Sequence, residues 1–208
     1  MRSRAKQHLP SVLLTLLSII QALALELLWS RLHASPFLWN GGWGAVVGWL
    51  QIAGMFLGIL QIWFFYTSLV LRFQWLPSFR DSLIPFVIGI LEFSMIELLG
   101  PSRLGAWFLT LAAVFAVSVV EGHSIFRRAR RDPANREFFD TVDRATRRDH
   151  MRPAAIVVGI AAIGALLQIT GDQRWLASVA LLLANGALLY QIAEARRYWD
   201  QAMSGEED

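Results

Sequence analysis

A chain of 208 residues that is 55% hydrophobic, bears a net charge of +3 and has no cysteine excludes disulfide frameworks, thiolate metal sites and thiol catalysis. A pI near 9.9 with a mean hydropathy of +0.45 points to lipid and away from nucleic acid. The arginines are interleaved with acids and abut apolar runs, where anionic headgroups are the natural partner.

Six apolar runs occupy residues 11–30, 45–71, 83–100, 105–126, 154–170 and 175–195. A helix rises ~1.5 Å per residue and a bilayer core is ~30 Å thick, so ~17 to ~25 residues span it. The expected fold is all-α: one domain, a bundle of six transmembrane helices with both termini cytoplasmic. The first run follows Arg2, Arg4 and Lys6 and precedes His33-Ala34-Ser35, as a signal peptide would. It is longer than a ~7 to ~15 residue signal core and contains Glu26, so an uncleaved span is expected. The connection 32–44, with Pro36, Asn40, Gly41, Gly42 and Gly44, is expected to be a flexible re-entry.

The second run carries Gly54 and Gly58, with Gly44 and Gly48 before them. Small residues four apart let helices approach closely. If the helix continues to Phe73 it must tilt or protrude. A link over 74–82 containing Pro77 leads to the third run, which holds Glu92 near its middle and Glu97 near its end. Gly100-Pro101-Ser102-Arg103 then reads as a tight turn, with glycine as the helix stop. The fourth run has Glu121 flanked by Ser118 and Ser124, with His123 nearby.

Residues 127–152 form an Arg-rich cytoplasmic loop. Pro133 marks a helix start, and 136–148 reads as a short interfacial helix with Phe138, Phe139 and Val142 dipping inward. Arg127, Arg128, Arg130 and Arg131 are expected at the level of anionic lipid phosphates; the competing reading is a solvated, salt-bridged connector. The fifth run contains Ala155 and Gly159, a further small-residue pair. The turn Gly171-Asp172-Gln173-Arg174 leads into the sixth run, and an acidic tail over 200–208 is expected to fray.

With the N-terminus inside, 16 of the 19 Lys and Arg residues fall on the cytoplasmic side and only Arg31, Arg103 and Arg174 lie opposite, as the positive-inside rule requires. Trp29, Trp39, Trp43, Trp107 and Trp175 mark the outer boundary as an aromatic belt, and Trp75 and Trp199 the inner one. Glu26, Glu97 and Gln168 recur at a spacing of 71, and Gln21 and Glu92 share it. Three tandem helix hairpins in the same orientation would produce this pattern, related by an axis along the membrane normal. Chance sharing of words among leucine-rich spans would also produce it.

Four glutamates lie in or beside the spans. A charged acid at the bilayer centre costs about 3 kcal/mol on insertion scales, so such groups face protein or a wet cavity. One reading is a polar pathway for protons or small cations. Glu26 and Glu97 stand at its outer mouth, neutralised by Arg31 and Arg103, with Glu92 midway and Glu121 with His123 at the inner mouth. The other is structural, with the acids hydrogen-bonding between helices at about 0.6 to 2 kcal/mol each. Gln21, Gln51, Gln61, Gln168, Asn185 and Gln191 add polar groups at several depths.

With four histidines and only His123 near a span, a haem or histidine-rich metal site is not expected. HExxH, GxSxG, Walker and TVGYG signatures are missing, so no enzyme, cofactor or metal is expected. The functional expectation is a channel or carrier for protons or small cations in a cell membrane of the bacterial inner-membrane type. The alternative is a non-catalytic subunit, assembly factor or scaffold binding membrane partners. Either would associate with itself or with another membrane protein.

Overall fold

The computed structural model describes residues 2–75, 78–141, 147–171 and 174–204. These are helical almost throughout, and no strand occurs among them. Among the described residues seven α-helices follow in order: α1 Arg2–His33, α2 Gly42–Arg72, α3 Phe79–Glu97, α4 Leu104–Ala129, α5 Arg136–Thr141, α6 Arg147–Thr170 and α7 Trp175–Ser204. Short 3-10 turns at Pro36–Leu38, Pro101–Arg103 and Pro133–Asn135 precede α2, α4 and α5. Each opens on proline, whose fixed φ suits a first helical position.

Among the described residues five helices are long and apolar enough to cross a membrane: α1, α2, α4, α6 and α7. The chain thus has the make-up of a multi-pass membrane protein. The third run lies largely in α3, but Arg80, Asp81, Glu92 and Glu97 fall within the 19 residues of that helix, and it is not among the five. The helices overrun the apolar runs, since hydrogen bonding continues past the point where side chains turn polar. At 31 residues, α2 is about 46 Å long, so it tilts or protrudes from a ~30 Å core.

Of the two glycines expected to stop helices, Gly171 does so, whereas α3 already ends at Glu97 with Leu98 as its C-cap and Gly100 opens the following 3-10 turn. Gly171 has φ +62°, the left-handed stop, and its N–H returns to Leu167 O at 3.0 Å. Gly100, at φ +128°, donates its N–H to Gln51 Oε1 at 3.0 Å. Gln51 is fully buried, so this bond ties the α3–α4 turn to α2.

Neighbours form an open ring: α2 beside α1, α1 beside α3, α3 beside α4, α4 beside α6, and α2 beside α7. Contacts between Gln21 and Glu92 and between Arg31 and Glu97 show α1 and α3 running parallel. The Trp43–Trp175 and Gln61–Gln191 contacts do the same for α2 and α7. Gly105 meets Gln168, and Gly164 meets Leu109, so α4 and α6 are antiparallel. The ring is nearly broken at one place, because α6 and α7 touch only marginally. Of the three hairpins expected, α1–α2 and α3–α4 are packed pairs, whereas the arms of α6–α7 part to lie on α4 and α2.

One buried cluster joins Val47, Ile52, Met55, Met95, Ile96, Trp107, Phe108 and Leu181. A second, around the α2 C-terminus, contains Leu13, Leu17, Tyr66, Leu69, Phe73, Trp75 and Ile125. Phe138 and Phe139 reach it from α5, with ring centroids 4.9 and 5.4 Å from Phe73. Phe139 packs on this cluster while Phe138 stays exposed; the helix described there is only Arg136–Thr141, and Val142 lies outside the described residues. The outer surface is apolar, with Ile90, Val158 and Ile169 all strongly exposed, as lipid contact requires and water would not favour.

Two tryptophans depart from the belt. Trp29, Trp39 and Trp175 are 60–70% exposed, whereas Trp75 and Trp107 are 0% and 1% exposed. Trp107 sits against Gly54 and Phe108, where a large flat ring fills the helix crossing better than it would anchor headgroups. The side chains of Arg2, Arg4, Lys6, Arg144, Arg147, Arg148 and Trp199 lie outside the described residues.

Glycine contacts also redistribute the expected packing. A Cβ on Gly54 would meet Asn185 at 3.5 Å, and Gly48 packs on Phe37 and Leu38, but Gly58 and Gly159 have nothing within 4 Å. Gly54 is therefore a helix contact, and Gly58 is not. The tightest crossing lies elsewhere. A Cβ on Gly105 would sit 2.7 Å from Gln168 N, and one on Gly164 would sit 2.9 Å from Leu109 N.

Candidate functional site: an inner carboxylate pair beside a cavity

The site begins at the start of α3. Ser78 N–H donates to Asp81 Oδ2 at 3.1 Å, and the Ser78 hydroxyl donates to Oδ1 at 2.6 Å, a capping box with aspartate at the third position. This turns the Asp81 carboxylate inward, where its side chain is 0% exposed. Arg128, in the last turn of α4, reaches it with Nη2 at 2.8 Å and reaches the Ser78 hydroxyl with Nη1 at 2.9 Å. Nη2 of the same guanidinium stands 3.7 Å from Oε1 of Glu121, whose side chain is 2% exposed. Two turns of α4 separate Glu121 from Arg128 on one face, the spacing that lets them meet.

Two buried acids thus face one arginine. Neither oxygen of Glu121 has a hydrogen-bond partner, and the same holds for the buried Tyr66 hydroxyl, which shares the field of Glu121, Asp81 and Arg128. The exposed Arg80 acts on Glu121 more weakly. Near this cluster Asn135 locks the loop region. Its Nδ2 donates to Gln74 O and Ala129 O at 2.6 and 2.8 Å, and its Oδ1 accepts from Gln74 N at 2.9 Å.

Glu121 and Tyr66 border a cavity of about 840 Å³ between α2, α3, α4 and α7, whose wall also includes Phe138 and Phe139. Most of its wall is apolar; its polar members include Gln61 hydrogen-bonded to Gln191, with His123, Arg127 and Arg130 towards the Arg-rich end. His123 Nδ1 lies 3.0 Å from Val119 O; since a carbonyl only accepts, Nδ1 carries the proton. A smaller cavity of about 210 Å³ between α4, α6 and α7 shares Leu111, Phe115, Leu188 and Gln191 with the first.

The structure does not gather the four glutamates into one route. Glu92, buried between α1 and α3, accepts from Gln21 Nε2 at 3.0 Å on both oxygens and does not line the large cavity. Glu97 is exposed and pairs with Arg31 of α1 at 3.9 Å, while Arg103 reaches the Glu97 backbone carbonyl at 3.5 Å. Glu26 is exposed and forms no ion pair among the described residues. Arg31 therefore serves Glu97, across helices, and not Glu26, because α1 and α3 lie side by side.

The arginines divide as well. Arg128 is half-buried and engaged by Asp81 and Ser78, unlike the other three arginines expected at the phosphate level. Arg127, Arg130 and Arg131 are exposed, and Arg130 lies over the Phe139 ring at 5.0 Å. Asp81 was the missed member of the site, because the link 74–82 reads as a connector. Its signal was Ser78-x-x-Asp81 ahead of an apolar run. Among the described residues no three His, Asp or Glu side chains gather as metal ligands. No family model matches the chain, and no significant match was found among curated proteins or solved structures.

Proposed function

We propose that the chain is a six-span carrier or channel of a cell membrane, of the bacterial inner-membrane type, that handles protons or small cations at Asp81 and Glu121. The carrying observation is the charge count of the buried cluster, two carboxylates against one guanidinium. An uncompensated buried charge costs several kcal/mol, so a proton or cation completes the site. Glu121 is held only by the longer, 3.7 Å ion pair to Arg128 and borders the cavity, which makes it the exchanging member. Asp81, hydrogen-bonded on both oxygens, holds Arg128 in place.

The reading counts α3 as the sixth span. It lies parallel to α1 and alongside α4, and its acids are met by Gln21 and Arg128. The basic residues then sort with both ends in the cytoplasm. Contact between Gln21 and Glu92, 71 residues apart, supports a repeat that sets α1 and α3 at equal depth. Glu92 is 11 residues beyond Asp81, about 16 Å along the helix, too far for a direct proton hop. Its bidentate bond to Gln21 favours a role as an interhelical lock.

The test is dissipation of an imposed pH or cation gradient in proteoliposomes. Glu121→Gln, which keeps the shape and removes the charge, is expected to slow flux at least about tenfold, the effect of about 1.4 kcal/mol on the barrier. Unchanged flux in this variant would end the reading. A scaffold or assembly role is the second reading. It is favoured by α6, of whose apolar stretch only 11% is buried, leaving a long face for partner helices. A stoichiometric membrane partner retained in mild detergent, together with absent flux, would select it.

A further inference from the structure

We infer that the large cavity is a binding site for one anionic phospholipid of the inner leaflet, with an acyl chain inside and the phosphate at Arg127 and Arg130. Occupancy does not depend on ion movement and would stand if the carboxylates carried no ion.

Three observations converge on this occupant. First, the wall. Apart from the Gln61–Gln191 pair and the Glu121 side, it is built from Ile62, Phe65, Leu111, Phe115 and similar side chains. A hydrated solute would have to leave its water to enter, whereas a hydrocarbon chain would not. At about 840 Å³ the space is at the upper end of the ~300–1,000 Å³ that holds sizeable ligands.

Second, the entrance. The smaller cavity shares four wall residues with the large one and runs between α6 and α7, the two neighbours that touch only marginally. The crevice therefore faces lipid sideways, the direction from which a chain already in the bilayer would slide.

Third, the charge. Arg127 and Arg130 are exposed and His123 is half-buried where the wall reaches the Arg-rich segment. Arg130 is steadied over Phe139, itself a wall residue. Glu121, the acid on the wall, is turned to Arg128. Moving a tail from bilayer to protein gains little, because lipid is as apolar as leucine. Selection must therefore come from the headgroup, and the two arginines favour a negative one.

Native mass spectrometry of the purified protein with added phosphatidylglycerol or phosphatidylcholine reads occupancy directly. One phosphatidylglycerol per chain is expected, with phosphatidylcholine bound more weakly. Arg127→Gln with Arg130→Gln should weaken the anionic lipid by about 25-fold, about fivefold for each arginine. Leu188→Trp, which fills the junction of the two cavities and leaves the arginines intact, should also displace it. Equal binding of both lipids, no loss in the double variant, or displacement by inorganic phosphate at matched concentration would each overturn the proposal. The last would mean a free-anion site.

Photolabelling of the unmodified chain in bilayers with a phosphatidylglycerol bearing a diazirine in its acyl chain needs no variant. Adducts concentrated between Leu111 and Phe126 and at Ile62 or Phe65 are expected. Adducts spread over outward residues such as Ile90 and Ile169 in proportion to exposure would mean annular lipid, and would refute the enclosed site.

Discussion

Replacing Arg128 by methionine removes the one guanidinium that Asp81 and Glu121 share while keeping most of the side-chain volume. At an effective dielectric of ~20, contacts of 2.8 and 3.7 Å correspond to gross attractions of about 6 and 4 kcal/mol. Much of this is offset by the desolvation of three charged groups. What is lost on removing one partner of a buried pair is about 3–5 kcal/mol, because the acids stay behind uncompensated. Arg128 is 24% exposed and water can enter in its place, so the lower end, about 3 kcal/mol, is expected. Adding Asp81→Asn removes one stranded charge and should recover at least about 1 kcal/mol, a coupling typical of residues in one network. Equilibrium unfolding in mixed micelles, followed by tryptophan fluorescence, reads both; Trp75 in the adjoining buried cluster is the natural reporter. A cost below about 1 kcal/mol for Arg128→Met, or strict additivity of the two changes, would refute the shared-arginine geometry.

Gly164→Leu should destabilise the bundle by about 1–3 kcal/mol, the usual cost of overpacking, because its Cβ would press on the α4 backbone at Leu109 and Gly105. Gly159→Ala, with open space around it, should change stability by less than about 0.5 kcal/mol in the same unfolding measurement. Gln21→Leu leaves Glu92 buried without its donor and should cost about 1–3 kcal/mol, whereas Glu92→Gln keeps an amide pair and should cost less; the reverse order would remove Glu92 from its proposed locking role. In this naturally cysteine-free chain, Ser102→Cys should react with an impermeant thiol reagent from outside cells, and Ala134→Cys only after the membrane is opened. Reversed labelling would invert the proposed topology.

The residue order alone determined the apolar helices and the glycine stop at Gly171, but not how far the helices run past their apolar stretches. The helices and that stop are local properties, since span length, hydropathy and turn chemistry act within one segment. Which surfaces meet was not legible. Trp75 and Trp107 have the positions of belt residues, yet a neighbouring helix buries them. Arg128 looks no different from Arg127 and Arg130 until α3 brings Asp81 within 2.8 Å. Gly105 and Gly164 carry no GxxxG spacing within one helix, and their meaning arises from the α4–α6 crossing. Tertiary structure decided these matters because lipid solvates every apolar face alike, so helix partners are chosen by shape and a few polar contacts between segments far apart in the chain.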